Sequence, residues 1–350
     1  MEHWSLAGNF LTFGELHNLF QVSKEFAHLK IFWERLEVQN YDVKCIPKIL
    51  NKIICRDFSG IGSLEMLKYL GSNIQKLHIC NMALSPEIAR FQKLEELLVF
   101  ECTIDSLEFI NQLSFLHRLV LHNTLVPIKF NLEIPLKSLM IANCKVDYGQ
   151  LPQTLERLII HTSNIPVLGS LINLTELYIK SDEEIEELST LLKLKTLCIT
   201  EITDENVGNI SGCVQLEELV IEKCSTASLK WLTSFPKLEQ LEISCELKTL
   251  PILPIKYLNV YHDISEEDFI TVSQFPQLER FDVYCPLDNR FMHLIHLKSL
   301  KYLGLRNPDS IEPIVPYLEQ MNLQTLKVYR SSINSDILNR LKYVRIIYRD

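Results

Sequence analysis

The chain alternates, over most of its length, between short apolar strands and polar stretches at a nearly constant period. Residues 202–224, ITDENVGNISGCVQLEELVIEKC, show one complete unit. Leu216, Leu219 and Ile221 follow the spacing LxxLxL, which places apolar side chains on one face of a short strand. The residues before them follow helical spacing. Neither the strand nor so short a helix can bury its apolar face alone, so the pattern predicts a unit that is stable only when stacked on copies of itself.

The unit recurs along the chain. The first apolar positions of the strands are Ile74, Leu94, Leu116, Leu136, Leu155, Leu174, Leu194, Leu216, Leu238, Ile255, Leu278, Leu300 and Leu323. Weaker units lie at Leu50-Ile53-Cys55 and Leu341-Val344-Ile346. Most of the spacings fall in the 20–29 residue period typical of leucine-rich repeats. The chain therefore resembles a leucine-rich-repeat protein, and this resemblance implies an α/β solenoid of about 13 or more repeats with a parallel, concave sheet.

The repeats are of two kinds. Cys102, Cys144 and Cys224 follow their strands at one repeat position, where we expect the thiol to turn inward and bond main-chain groups at the strand end. The units at 202–224 and 264–285 resemble the cysteine-containing repeats of F-box receptors, which have helices on the convex side. Residues 151–155 and 250–254 resemble the shorter LPxxLxxL repeats, for which proline favours an extended convex side.

Residues 1–45 show no repeat, and we assign residues 46–350 to the repeat domain. Residues 16–36 have the apolar spacing of two or three short helices. The segment resembles the second half of an F-box, the module by which substrate receptors dock on a cullin ubiquitin ligase through a small adaptor. The matches are Leu16, Leu19, the Val22-Ser23-Lys24 run, Phe26 and the closing Phe32-Trp33.

The F-box resemblance assigns adaptor binding to five side chains: Leu16, Leu19, Val22, Phe26 and Trp33. The sequence departs from the F-box pattern at its start, where residues 1–13 contain no Leu-Pro dipeptide and only a short first helix would fit. The alternative is that residues 1–45 cap the apolar end of the solenoid, since every solenoid needs such a cap. Both roles can apply to the same residues.

Strand residues alternate between the core and the concave face, so the concave row can be listed from the repeat register. One stretch of it is apolar and predicts a contact surface: Leu98, Val120, Met140, Ile159 and Tyr178. A second group near the C-terminus carries residue types that commonly anchor interfaces: Tyr261, Tyr284, Arg306 and Tyr329. The alternative is that aliphatic residues at these positions reflect only the preference of strands for them.

Composition narrows the classes of function. The net charge of -9 argues against binding to nucleic acid, and no apolar run is long enough to span a membrane. The ten cysteines are spread singly, as expected for reduced thiols in a cytoplasmic or nuclear protein. We find no phosphate-binding loop, metal-ligand set, cofactor motif or nucleophile–base constellation, which predicts that the chain is not an enzyme. We therefore expect a scaffold that binds a protein target, is monomeric outside its complex, and serves either as an F-box-type receptor or as a stand-alone binding protein.

Overall fold

A computed structural model describes the backbone of residues 31–38, 53–61, 67, 72–126, 130–181, 185–247, 250–306, 310–329 and 335–349. Side chains are described for the same residues except 31–38, 53–61, 348 and 349. The chain divides into two compact units, unit 1 (Met1–Leu174) and unit 2 (Thr175–Asp350).

Unit 1 contains a parallel sheet in which each repeat adds one strand beside the previous one. The strands are β1 (Ile31–Val38), β2 (Ile53–Ile61), β3 (Lys76–Cys80), β5 (Glu96–Phe100), β7 (Arg118–His122), β8 (Ser138–Ala142) and β9 (Arg157–His161). Two short strands, β4 (Ala83–Leu84) and β6 (Thr103–Ile104), pair separately. The return segments include 3₁₀ helices at Pro86–Arg90 and Ile110–Gln112.

Unit 2 repeats the same design with longer convex elements. Its parallel strands are β10 (Glu176–Ile179), β11 (Thr196–Ile202), β12 (Glu218–Cys224), β13 (Gln240–Ile243), β14 (Tyr257–Val260), β15 (Arg280–Val283), β16 (Tyr302–Arg306), β17 (Thr325–Tyr329) and β18 (Arg345–Arg349). The α-helices are α1 (Val207–Ile210), α2 (Glu266–Val272), α3 (Val315–Leu318) and α4 (Ser335–Arg340). The 3₁₀ helices span Leu188–Thr190, Lys230–Ser234, Asn289–His296 and Glu312–Ile314.

The convex elements follow the two kinds of repeat. The cysteine-containing units at 202–224 and 264–285 carry α1 and α2, as predicted. Helix α2 starts where the Ser265 hydroxyl accepts the Asp268 N–H at 3.1 Å, and acidic residues in its first turn complement the helix dipole. The two LP-containing segments have no helix. The fold is therefore the α/β leucine-rich-repeat solenoid that the periodicity predicts.

The core is a set of columns that run from repeat to repeat. All thirteen predicted first positions are buried, from Ile74 to Leu323, as are the two following strand positions of each unit. A further column, three residues before each first position, was missed in the sequence: Phe91, Leu113, Leu171, Leu191, Cys213, Phe235, Phe275 and Leu297. In most of these repeats the carbonyl of this residue accepts the N–H of the first position, as from Leu94 to Phe91 at 2.9 Å. The column therefore closes the turn that starts each strand.

Strand ends in unit 1 are closed by a residue with left-handed backbone. Its N–H donates to a carbonyl of the next repeat at 2.9–3.0 Å, and the residues with φ near 50° are Asn81, Glu101, Asn123 and Asn143. Asparagine tolerates this conformation better than other non-glycine residues, which explains its recurrence. Cys102 and Cys144 follow it and are buried as predicted, and their thiols donate to the carbonyls of Phe100 (3.1 Å) and Ala142 (3.2 Å). Cys224 in unit 2 differs from the prediction, since it is half-buried and its thiol lies 3.1 Å from the Thr226 hydroxyl.

The two ends of the repeat array differ from the sequence prediction. Residues 31–36, predicted to be helical, belong to β1, because the segment pairs in parallel with β2 over its whole length. The terminal repeats exist, but their register is shifted. Phe58, not Ile53, pairs with Leu77, and Ile346 pairs with Leu326 rather than with Val328. In both terminal repeats the apolar spacing was misleading, and main-chain pairing with the neighbouring strand decides the register.

Candidate functional site: the open face of the repeat sheet

In most strands whose side chains are described, alternate residues are partly exposed on the face opposite the convex elements, which we call the open face. In β10, for example, Glu176 and Tyr178 are half-buried while Leu177 and Ile179 are buried. This alternation follows from the period of two in a strand. The open face is the concave face of a leucine-rich-repeat solenoid, and it carries every predicted partner-binding residue.

In unit 1 the predicted apolar row forms a continuous line across four neighbouring strands. Leu98, Val120, Met140 and Ile159 are register partners in β5, β7, β8 and β9. Leu98, Met140 and Ile159 are half-buried, but Val120 is only 4% exposed. The prediction that Val120 faces solvent is therefore wrong. Its short side chain lies between longer ones on strands about 4.8 Å away, which shield it.

An aromatic cluster borders this row and was not predicted. The Phe100 ring lies 4.8 Å from the His78 ring and 5.6 Å from the His122 ring, measured between centroids. The thiol of Cys80 is 3.4 Å from His78 Nε2, and partial burial raises the pKa of this thiol. The sequence does contain a signal for this cluster: Phe100 and His122 each lie two positions after a residue of the apolar row. The apolar row of unit 1 is therefore extended on one side by aromatic surface.

In unit 2 the structure brings together three of the four predicted Tyr/Arg residues. The Arg306 guanidinium lies 4.3 Å from the Tyr261 ring centroid and 4.9 Å from that of Tyr329, and its Nη2 donates to the Tyr261 hydroxyl at 3.2 Å. The Lys327 ammonium lies 4.4 Å from the Tyr329 ring. Tyr284 is 44% exposed and stacks on no described residue. Two cations are thus held over aromatic rings, an arrangement that fixes their position at low entropic cost.

A buried carboxylate lies beside this cluster and was also not predicted. Asp282 is 1% exposed, and its Oδ2 accepts from Arg280 Nε at 2.7 Å. Arg280 in turn stacks 4.3 Å from the Tyr302 ring. Desolvation raises the pKa of Tyr302 to about 12, so its hydroxyl stays neutral. Gly304 makes room for the carboxylate, because a Cβ at this position would lie 1.9 Å from Asp282 Oδ1.

The neighbouring strands of unit 2 carry acidic groups instead. Burial, together with the negative charges of Glu222, Glu242 and Glu218, raises the pKa of the Cys198 thiol to about 11. A depression of about 180 Å³ lies next to this group, and it is lined by Glu218, Leu219, Val220, Gln240, Leu241, Glu242, Tyr257, Leu258, Asn259, Arg280 and Asp282. Tyr178 lies two strands from Val220 on the same face. The open face of unit 2 therefore changes from acidic to basic along the repeats.

The predicted adaptor-binding residues cannot be placed in the same way. Leu16, Leu19, Val22 and Phe26 lie outside the described residues, and of Trp33 only the backbone is described, within β1. Adaptor binding by these side chains stays a prediction. The described cysteines are free thiols, and no group of three metal-ligating side chains occurs among the described residues. No described helix has the length and apolar character needed to cross a membrane.

Comparisons with known proteins support the fold. No protein-family profile matches the sequence, and none of the curated proteins compared with it matches. A leucine-rich-repeat protein of Leptospira interrogans is similar in structure (TM-score 0.51, 19% identity, 95% of this chain and 98% of the other). So is TLR13 in its complex with the RNA ssRNA13 (TM-score 0.54, 15% identity, 92% of this chain and 60% of the other). At these identities the likeness shows the leucine-rich-repeat fold alone.

Proposed function

We propose that this chain is a non-enzymatic protein-binding scaffold whose target docks on the open face of the repeat sheet. The observation that carries this proposal is the row of partly exposed apolar side chains Leu98, Met140 and Ile159, aligned on nearby strands of unit 1. Aligned apolar side chains on a solvated sheet face are typical of a contact surface, since a partner that covers them removes apolar area from water. The described cysteines are free thiols, which favours a cytoplasmic or nuclear location.

For residues 1–45 we propose docking on a cullin-ligase adaptor, which would make the chain an F-box-type substrate receptor. The support is the sequence likeness at Leu16, Leu19, Val22, Phe26 and Trp33. Such a receptor acts by proximity, because it raises the effective concentration of the target near a tethered conjugating enzyme.

The alternative is a stand-alone binding protein in which the N-terminal residues only cap the solenoid. One observation favours this alternative: the segment that contains Trp33 pairs along β2 and so continues the sheet. A cap that extends the sheet shields the apolar end of the first repeat.

Adaptor binding separates the two proposals. Purified full-length chain is tested against purified cullin adaptor by interferometry, next to the triple variant Val22→Asp/Phe26→Asp/Trp33→Ala. Met140→Glu serves as the control, because it changes the open face and lies outside the F-box-like segment in the sequence. Binding that the triple variant loses and the control keeps supports the receptor. An intact chain that does not bind the adaptor supports the stand-alone protein.

Target binding is tested by quantitative affinity capture with the wild-type chain and open-face variants. Met140→Glu and Lys327→Glu change one side chain in each unit, and Phe115→Glu is the matched control, since Phe115 is 66% exposed and lies off the open face in the turn before β7. A target lost with one of the open-face variants and retained with the control is the expected result. Targets captured equally by all four proteins would refute docking on the open face.

A further inference from the structure

The open face of unit 2 carries opposite charges at neighbouring places. Three carboxylates lie on β12 and β13: Glu218, Glu222 and Glu242. Three cations lie on β15, β16 and β17: Arg280, Arg306 and Lys327. Because the whole chain carries a net charge of -9, a group of cations on one face is a local reversal of sign. A partner must match both signs to dock here without leaving charges unpaired.

The basic group is available for an anion. Arg280 is neutralised by the buried Asp282 at 2.7 Å, but Arg306 and Lys327 have no carboxylate within 4 Å among the described residues. Their contacts are with the rings of Tyr261 and Tyr329, which leave guanidinium and ammonium donors for a ligand. Arginine and lysine held in this way bind carboxylate or phosphate by charge-assisted hydrogen bonds.

The acidic group is available for a cation. Glu222 pairs with Lys180 at 3.2 Å, whereas Glu218 and Glu242 have no cationic partner within 4 Å among the described residues. Both line the depression, together with Asn259, whose Oδ1 is buried and accepts no hydrogen bond from the described residues. Asp282, 1% exposed, lines the same depression and its Oδ1 has no hydrogen-bond partner there either. The half-buried carboxylates of Glu218 and Glu242 are the acceptors that a lysine or arginine side chain could satisfy.

We propose that the open face of unit 2 recognises an extended segment of the protein target with two opposite charges no more than about three residues apart. A basic residue enters the depression beside Glu218 and Glu242, and an acidic or phosphorylated residue meets Arg306 and Lys327. The spacing follows from the contacts between the two sites: Arg306 Nη2 donates to the Tyr261 hydroxyl at 3.2 Å, and Asn259 Nδ2 lies 3.0 Å from both that hydroxyl and Glu242 Oε2. The charges of Arg306 and Glu242 therefore lie about 9 Å apart or less, and an extended chain advances about 3.3 Å per residue. This proposal rests on the proposed function and adds the chemistry of the segment that is recognised.

A nucleic acid fits this surface less well than a peptide. A phosphate backbone that crossed the strands from Arg306 would reach Glu242 and Glu218 within the same distance and be repelled. The rings of Tyr261 and Tyr329 are already stacked on Arg306, which leaves fewer free ring faces for bases. The presence of an acidic and a basic group on one surface therefore favours a partner that carries both charges.

The test uses random twelve-residue peptides displayed on phage and selected on the immobilised full-length chain. Selected sequences are then synthesised and their affinities measured by fluorescence anisotropy, with the acidic residue also replaced by phosphoserine to distinguish carboxylate from phosphate. The variants are Lys327→Glu, Arg306→Gln and Glu218→Gln/Glu242→Gln. Lys298→Glu is the control, because it is the same charge change in the exposed turn before β16. Thermal melting checks that each variant is folded.

Selected peptides should carry Lys or Arg and Asp or Glu no more than about three positions apart. Lys327→Glu should weaken the affinity of these peptides by about tenfold or more, while Lys298→Glu leaves it unchanged. Peptides without this charge pattern, or affinities that the folded variants do not change, would overturn the proposal. So would a single-stranded oligouridine that binds tightly and is lost with Lys327→Glu. A captured target that is insensitive to Lys327→Glu but lost with Met140→Glu contradicts this inference alone and leaves the proposed scaffold function intact.

Discussion

Replacement of Gly304 by alanine tests the packing beneath the cations of the open face of unit 2, which are Arg280, Arg306 and Lys327. The added Cβ would lie 1.9 Å from Asp282 Oδ1 and 2.7 Å from Asp282 Cγ, both far inside van der Waals contact. The carboxylate must therefore move, yet at 1% exposure it has little space to do so. A shift also breaks the bond from Arg280 Nε, which orients Arg280 over Tyr302.

Two contributions determine how much Gly304→Ala should lower the free energy of unfolding. Overpacking of a filled site costs roughly 1–3 kcal/mol, and an ion pair whose Arg280 side chain is 42% exposed contributes about 0.5–1 kcal/mol after screening by solvent. We expect Gly304→Ala to lower the free energy of unfolding by about 1.5–4 kcal/mol. Gly208→Ala in α1 is the matched control, because an added Cβ meets nothing within 4 Å. It should raise the stability by about 0.5–1 kcal/mol, since alanine favours helix over glycine.

The assay is urea unfolding of the full chain, followed by circular dichroism and by tryptophan fluorescence, in a double-mutant cycle with Asp282→Ala. Asp282 Cβ would lie 3.4 Å from the new Cβ, an ordinary contact, so removal of the carboxylate should abolish most of the cost of Gly304→Ala. A cost that is the same in both backgrounds would refute the reasoning, because the clash with the carboxylate would not be its source.

Three further results are expected. Glu101→Asn should stabilise the chain by about 0.5–1 kcal/mol in urea unfolding, because Glu101 has φ 54° where asparagine is tolerated better; no gain would show that its side chain compensates for the strain. Ser265→Ala should cost about 1 kcal/mol by removing the cap on the Asp268 N–H of α2, and Ser265→Asn should recover most of it. Burial raises the pKa of the thiols of Cys213 and Cys285 to about 11 and 12. The folded state thus holds protons that unfolded thiols release near their ordinary pKa, so urea stability should be unchanged below about pH 8 and fall as the pH rises from 9 towards 11. Equal stability at pH 8 and pH 10 would contradict this assignment.

The periodic part of the fold could be predicted because each repeat position faces the same environment in every turn of the solenoid. Leucine and isoleucine at LxxLxL spacing reveal the strand register directly, and every predicted first position from Ile74 to Leu323 is buried. The inward-turned Cys102 and Cys144 were predictable for the same reason. At the N-terminal end this logic failed, since residues 31–36 have apolar spacing compatible with a helix but pair along β2 as a strand.

The contacts on the open face were harder to predict from the sequence than the repeats, because they depend more on tertiary structure. The sequence by itself determined which side chains share the open face, because alternation in a strand is a local property, and so it grouped Tyr261, Arg306 and Tyr329 correctly. It did not show that Val120 is shielded, that Asp282 is buried over Gly304, or that Arg280 binds this carboxylate. The contacts of Val120 with neighbouring strands and of Asp282 with Gly304 join residues about 20 positions apart. Arg280 and Asp282 lie two positions apart on one strand, but the position of this carboxylate depends on the space that Gly304 leaves on the next strand. Only the stacking of repeats at a fixed distance decides which of them touch, and thereby which charges remain for a partner.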